Sequence, residues 1–204
     1  MNLKNIYEDG QMYYKSVWNL YEEAFPKEEQ KSVEIMELLK DQGKMEIYAI
    51  EDQGEFIGLA MNMIWGDMGL LDYFAIAENK RNSGYGSRCI RILLEEFKDR
   101  KYIFEIEKQD EQAENSADRK RRKAFYLRNG LKETGVFANV YQVDFELLTP
   151  EGNLTFEEYT DFLEHVLGKE NLAKLNPVPL PVYSLYGSTV SFRPPVSLTI
   201  GNVP

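Results

Sequence analysis

The chain is poor in the side chains that most often do chemistry alone. Its 204 residues include one cysteine, Cys89, and one histidine, His165. A lone cysteine closes no internal disulfide, which fits a reducing compartment. One histidine and one cysteine cannot build a usual zinc site, so no metal is expected. Positive charge is also scarce: 24 Lys and Arg face 34 Asp and Glu, for a net charge of -10. That balance disfavours generic nucleic-acid binding, which needs a basic surface. It suits a small or cationic partner. No apolar run is long enough to span a bilayer, and no signal-peptide pattern is present. These absences predict a cytoplasmic protein with no membrane partner.

What is present describes a folded chain. Hydrophobic residues make up 43% and aromatics 13%, too much for a disordered chain. The length suits one domain with an appended piece. Near the middle stands Arg81-Asn82-Ser83-Gly84-Tyr85-Gly86-Ser87. It follows an apolar run, Leu70 to Ala77, and opens an amphipathic segment, Arg88 to Phe97. Two glycines between a strand and a helix let backbone N–H groups approach an anion closely. The helix N-terminus behind them adds free N–H groups and a positive dipole end. The competing reading is an ordinary tight turn. The Lys-Ser/Thr of a P-loop and the third glycine of a dinucleotide fingerprint are both missing.

Periodicity predicts the elements around this loop. A short strand lies within Asn2 to Tyr7. Tyr13, Val17, Leu20, Tyr21, Ala24 and Phe25 share one helical face, and Pro26 ends that helix and starts the next. Val33, Met36, Leu38 and Leu39 continue to Gly43. Met45 to Glu51 and Phe56 to Trp65 form a hairpin over Gln53-Gly54. Tyr102 to Glu107 is a strand, and Asn115 to Arg128 a polar helix closing on Asn129-Gly130. Leu131 to Phe137 and Val140 to Phe145 are the last two strands of the main body. Phe156, Tyr159, Phe162, Leu163, Val166 and Leu167 form a further apolar stripe, broken at Gly168. From Pro177 the prolines forbid a long helix. The tail can lie on its own domain, add to a neighbour's sheet edge in a homodimer, or be foreign to the protein. The organisation expected is a main domain over 1–148, a helical extension over 149–176 and an extended tail over 177–204.

The glycine loop resembles the R/Q-x-x-G-x-G/A motif of the GCN5-related N-acetyltransferases. Lys123-Ala124-Phe125-Tyr126-Leu127-Arg128-Asn129-Gly130-Leu131 resembles that family's second signature, a helix ending in F-Y-x-x-x-G-F. Leu131 stands where phenylalanine is usual. Arg119 stands where an asparagine commonly opens the motif, and Asn115 lies one turn earlier. The resemblance implies a mixed α/β fold with a mostly antiparallel sheet, flanking helices and a splayed cofactor-binding strand. It implies acetyl-CoA as co-substrate and a small-molecule amine as acceptor.

By the same resemblance, Arg81, Asn82, Ser83, Gly84, Tyr85, Gly86 and Ser87 hold the cofactor's pyrophosphate. Phe74, Ala75 and Ile76 offer main-chain groups to its pantetheine arm. Tyr126 is the candidate general acid, since a phenol stays protonated at neutral pH and can donate to a departing thiolate. Its structural alternative is a core tyrosine bonded to a backbone carbonyl. Glu105 and Glu107 alternate on one strand face and are the candidate bases, against the reading of a solvated face. Glu23 and Glu29 flank Phe25-Pro26 and can line the acceptor side. The basic run Arg119 to Lys123 reads as a solvated face pairing with Glu111 and Glu114. Cys89 falls on a buried stripe, so direct attack by the amine is expected rather than an acyl-enzyme. A catalytically silent acyl-CoA-binding module on the same fold is the alternative.

Overall fold

The computed structural model describes residues 1–140 and 142–180. The tail expected over 177–204 therefore lies, from residue 181 on, outside the described residues. The chain forms two compact units that divide between Tyr102 and Ile103. The fold class is the expected one, mixed α/β with antiparallel strand pairing in each unit.

The first unit begins with strand β1, Asn2–Asn5, and helix α1, Tyr14–Ala24. Val17, Trp18, Leu20 and Tyr21 face inward from α1. Pro26 does not start the next helix. It precedes a single 3-10 turn, Lys27–Glu29, and helix α2 runs from Val33 to Asp41. Ser32 caps α2 by accepting from the Ile35 N–H, which explains the later start. Leu38 does not join the buried stripe and is 57% exposed, while Met36 and Leu39 are buried.

Strand β2, Met45–Asp52, pairs with β1 and with β3, Glu55–Trp65. Strand β4, Met68–Ile76, pairs with β3. Gly58 of β3 is needed for this pairing: a Cβ there would sit 2.2 Å from the Ala75 carbonyl oxygen. The register slips at one point, where Met61 faces Tyr73 but Asn62 faces Leu71. Asp72 is thus the extra residue of a β-bulge, which bends the strand and re-aims its side chains. Helix α3, Tyr85–Glu96, buries Cys89, Ile90 and Leu93.

Strand β5, Lys101–Glu107, carries the chain into the second unit. Helix α4, Ser116–Arg128, follows. Strands β6, Lys132–Val140, and β7, Val143–Thr149, both run past the ends expected from alternation. Their pairing skips between Glu133 and Phe137, and that irregularity hides the period in the sequence. Helix α5, Phe156–Leu167, is closed at its start by a Thr155/Glu158 capping box and buries Tyr159, Phe162, Leu163 and Val166. Helix α6, Lys169–Leu175, follows Gly168. Strand β8, Val178–Pro179, adds to β6 within this unit. Among the described residues no helix is long and apolar enough to cross a membrane.

Candidate functional site

In the first unit, β4 leads through Ala77 and a short 3-10 turn, Glu78–Lys80, into the glycine loop. Gly84 sits at the N-cap of α3 with φ +75, and no side chain caps the helix there. The first-turn N–H groups of a helix have no partner within it. A Cβ on Gly84 would meet nothing within 4 Å, so the space beside the loop there is open. Asn82 also has positive φ, at 59. The Arg81 side chain turns back, its Nε donating to the Ile76 carbonyl at 3.1 Å. It ties the loop to the end of β4, so its guanidinium serves the loop's shape. Ser83 donates to the Arg81 carbonyl. An exposed loop, a left-handed glycine and an uncapped helix start are features that suit an anion.

Phe74, Ala75 and Ile76 are all buried at the C-terminal half of β4. Their side chains belong to the core, which leaves only their main chain for a ligand. The bulge at Asp72 lies just before them. A cleft of about 440 Å³ runs between α1 and the turn after β4. Glu23 and Glu78 border it together with Phe56. Glu29 instead is buried, in the segment that joins α1 to α2.

Cys89 is buried on α3. Burial pushes its thiol up to about 12, with the Arg88 guanidinium pulling weakly the other way. Such a thiol is not a nucleophile at neutral pH. An aromatic disulfide reagent should leave Cys89 unmodified in the native protein and react with one thiol after denaturation. Rapid native reaction would contradict this packing.

In the second unit, Tyr126 lies on the inner face of α4 and is 0% exposed. Phe104 meets its ring edge-on at 5.4 Å between centroids. Its hydroxyl is one of three buried side-chain polar atoms without a hydrogen-bond partner among the described residues. A buried orphan hydroxyl costs about 1–3 kcal/mol, so it calls for a reason. The structural alternative, a phenol satisfied by a backbone carbonyl, is not what the structure shows. Burial pushes the phenol above its ordinary value, and the Arg122 guanidinium one turn earlier pulls it down. Tyr126 therefore keeps its proton at neutral pH, with a cation at hand for the anion it would become.

The two strand carboxylates differ. Glu107 is 4% exposed and does not belong to a solvated face. Arg119 and Arg122 pair with its two oxygens at 2.9 and 3.0 Å. Asn115 adds its amide at 3.3 Å. Glu105 is half-buried and accepts the hydroxyl of Tyr159 from α5. The basic run is likewise not a simple solvated face. Lys120 does pair with Glu111, and Arg121 with Asp118. Arg119, Arg122 and Lys123 turn inward, Lys123 to the buried Glu146 at 2.8 Å and also to Glu133. Burial pushes the Glu146 carboxyl up against the pull of that lysine. His165 is on the surface, its ring Nδ1 2.7 Å from the Asp161 carbonyl oxygen.

Sequence reasoning missed the Glu107 clamp. Two signals were available: a glutamate at the end of an apolar strand, and arginines three apart on one helix face. Removing one member of such a buried cluster leaves charge uncompensated. Glu107→Ala should therefore cost about 3 kcal/mol or more of stability. That corresponds to a fall in melting temperature of roughly 6–12 °C. A melting curve unchanged by the substitution would contradict the clamp.

The model of the acetyltransferase (GNAT) family matches residues 13–130. No curated protein matches the chain. Among solved structures, a GNAT-family acetyltransferase from Bacteroides thetaiotaomicron is similar at 26% identity. That likeness covers 82% of this chain and 96% of the other, with a TM-score of 0.65. The aminoglycoside 6'-N-acetyltransferase from Enterococcus faecium is similar at 18% identity over 73% of this chain and 96% of its own, with a TM-score of 0.55. An aminoglycoside 6'-N-acetyltransferase complexed with coenzyme A gives the same values. These last two likenesses concern the fold.

Proposed function

The chain belongs to the GNAT family of acetyltransferases, and we propose that it moves the acetyl group of acetyl-CoA to a primary amine by direct attack. The observation that carries the chemistry is the buried, unpartnered hydroxyl of Tyr126 on the family's second motif. The loop from Arg81 to Ser87 takes the pyrophosphate on the backbone N–H groups around Gly84 and Gly86. The main chain of Phe74, Ala75 and Ile76 holds the pantetheine arm. A structural neighbour of this fold was crystallised with coenzyme A, which supports the choice of donor.

In the reaction, the neutral amine attacks the thioester carbonyl carbon. The C–N bond forms, the C–S bond breaks, and the thiolate takes a proton from Tyr126. The phenolate left behind is stabilised by the Arg122 guanidinium, which Glu107 holds in place. Glu107 thus acts by positioning α4 and its charges. Glu105, whose carboxylate is less enclosed, is the proposed route for the proton that leaves the acceptor ammonium. Buried Cys89 supports attack without an acyl-enzyme.

The net charge of -10 favours a small cationic acceptor. We place the protein in the cytoplasm, without nucleic-acid or membrane partners. The experiment is a turnover screen with acetyl-CoA against amino acids, polyamines, aminoglycosides and peptides, read by release of the CoA thiol. Saturable amine-dependent release is expected with at least one class. Tight acetyl-CoA binding with no release for any amine would favour a silent acyl-CoA-binding module.

A further inference from the structure

The bulge residue Asp72 does more than bend β4. Its side chain is 6% exposed, yet both its carboxylate oxygens hold one ammonium group, the Nζ of Lys31, at 2.7 and 2.9 Å. The same Nζ lies 5.0 Å from the centre of the Tyr73 ring. A buried carboxylate and an aromatic face together bind a primary ammonium by charge and by the ring quadrupole. The surroundings are tied together by hydrogen bonds and ring contacts. The Tyr73 hydroxyl donates to the Glu29 carbonyl at 2.7 Å and accepts from the Lys31 N–H at 3.2 Å. Tyr21 donates to the Lys31 carbonyl at 3.1 Å and packs edge-on against Tyr73. Phe25 closes on Tyr73 at 4.9 Å.

The two halves of this ion pair are unequal. The Lys31 side chain is 21% exposed at the end of a flexible stem, whereas Asp72 is fixed on a strand and nearly enclosed. Breaking a buried pair is expensive, because it strands a charge. Exchanging one ammonium for another is not, because the carboxylate stays neutralised throughout. Lys31 can therefore swing toward water if a second ammonium takes its place.

The position gives the exchange a purpose. With the pyrophosphate on the loop from Arg81 to Ser87, beyond the C-terminal end of β4, the arm runs back past Ile76, Ala75 and Phe74. Its acyl end then lies toward Tyr73 and Asp72. An acceptor must bring its amine to that end. We propose that Asp72 and the Tyr73 ring form the subsite for a primary ammonium group of the acceptor, with Lys31 as its resident occupant in the free protein. This rests on the acetyltransferase reading above and names the class of acceptor, a small molecule or chain end bearing an alkylammonium group.

The test follows Lys31 by NMR in the full chain carrying 13C-labelled lysine, with its signal assigned through Lys31→Arg. CoA binding is measured separately by calorimetry. Cadaverine, a primary diamine, is titrated into the CoA-loaded protein. The Lys31 signal should move saturably toward that of solvent-exposed lysines. The neutral 1,5-pentanediol should leave it in place. Tyr73→Leu, which keeps the carboxylate, should weaken the cadaverine response several-fold. A Lys31 signal that ignores cadaverine while CoA binds overturns the subsite, makes the pair a strut, and leaves the cofactor reading intact. Equal movement with the diol overturns ammonium recognition. Failure to bind CoA overturns both readings together.

Discussion

Tyr126→Phe is expected to lower the rate of acetyl transfer by about a hundredfold or more, the usual contribution of a placed general acid. Affinity for acetyl-CoA should be unchanged. The reason lies in what the substitution removes. The ring sits in a fully buried pocket against Phe104, and phenylalanine fills it equally well. The lost hydroxyl has no partner among the described residues. Deleting it therefore strands no donor or acceptor, and the folded protein should be as stable or slightly more so. A phenol holding up core structure would behave in the opposite way, with lost stability and intact turnover. Rate and melting temperature, measured on one preparation, separate the two. An unchanged rate would remove Tyr126 from the mechanism.

The second large effect is expected at Gly84. Its φ of +75 is a conformation that side chains bearing a Cβ rarely adopt. A non-glycine residue there pays about 1–2 kcal/mol in the backbone. Its Cβ would also project into open space at the start of the helix, with nothing within 4 Å to hold it back. Gly84→Val should thus displace the pyrophosphate from the N–H groups proposed to bind it. Losing one charge-assisted hydrogen bond of about 1.5–3 kcal/mol weakens binding roughly ten- to a hundredfold. Calorimetry with CoA measures this directly, and the melting temperature reports the backbone cost. A variant that binds CoA as well as the parent would show that the loop is only a turn.

The parts of this molecule that were legible in the sequence share one property: their signals are local. The Gln53-Gly54 turn and its flanking alternation announced the β2–β3 hairpin. Gly84 and Gly86 between an apolar run and an amphipathic one announced the loop between β4 and α3. Tyr126 could be singled out because its neighbours Phe125 and Gly130 sit at motif spacing. What stayed hidden depends on partners far away in the chain. The bulge at Asp72 exists only in the pairing of β4 with β3, and a one-residue slip leaves no mark in composition. Arg119, Arg122 and Lys123 looked like a solvated run because five consecutive cations usually are. Their inward turn is set by Glu107 and Glu146, two buried carboxylates on other strands. Pro26 misled for a related reason: a proline permits a helix start, but the Ser32 cap decided where α2 begins.

The same contrast applies to donor and acceptor. The proposed donor side is written in two contiguous motifs and in an uncapped helix. The proposed acceptor subsite rests on Lys31, Asp72 and Tyr73, which come together only when β4 bulges and the segment after α1 folds back upon it.

The whole reading of the donor side turns on the glycine loop as the proposed CoA pyrophosphate site. The most direct measurement is calorimetric titration of the full chain with acetyl-CoA, ATP and NAD in parallel, repeated on Gly84→Val. Saturable one-to-one binding of acetyl-CoA is expected, tighter than that of either nucleotide and weakened roughly ten- to a hundredfold in the variant. Tighter binding of ATP or NAD, or acetyl-CoA binding that survives Gly84→Val unchanged, would contradict it.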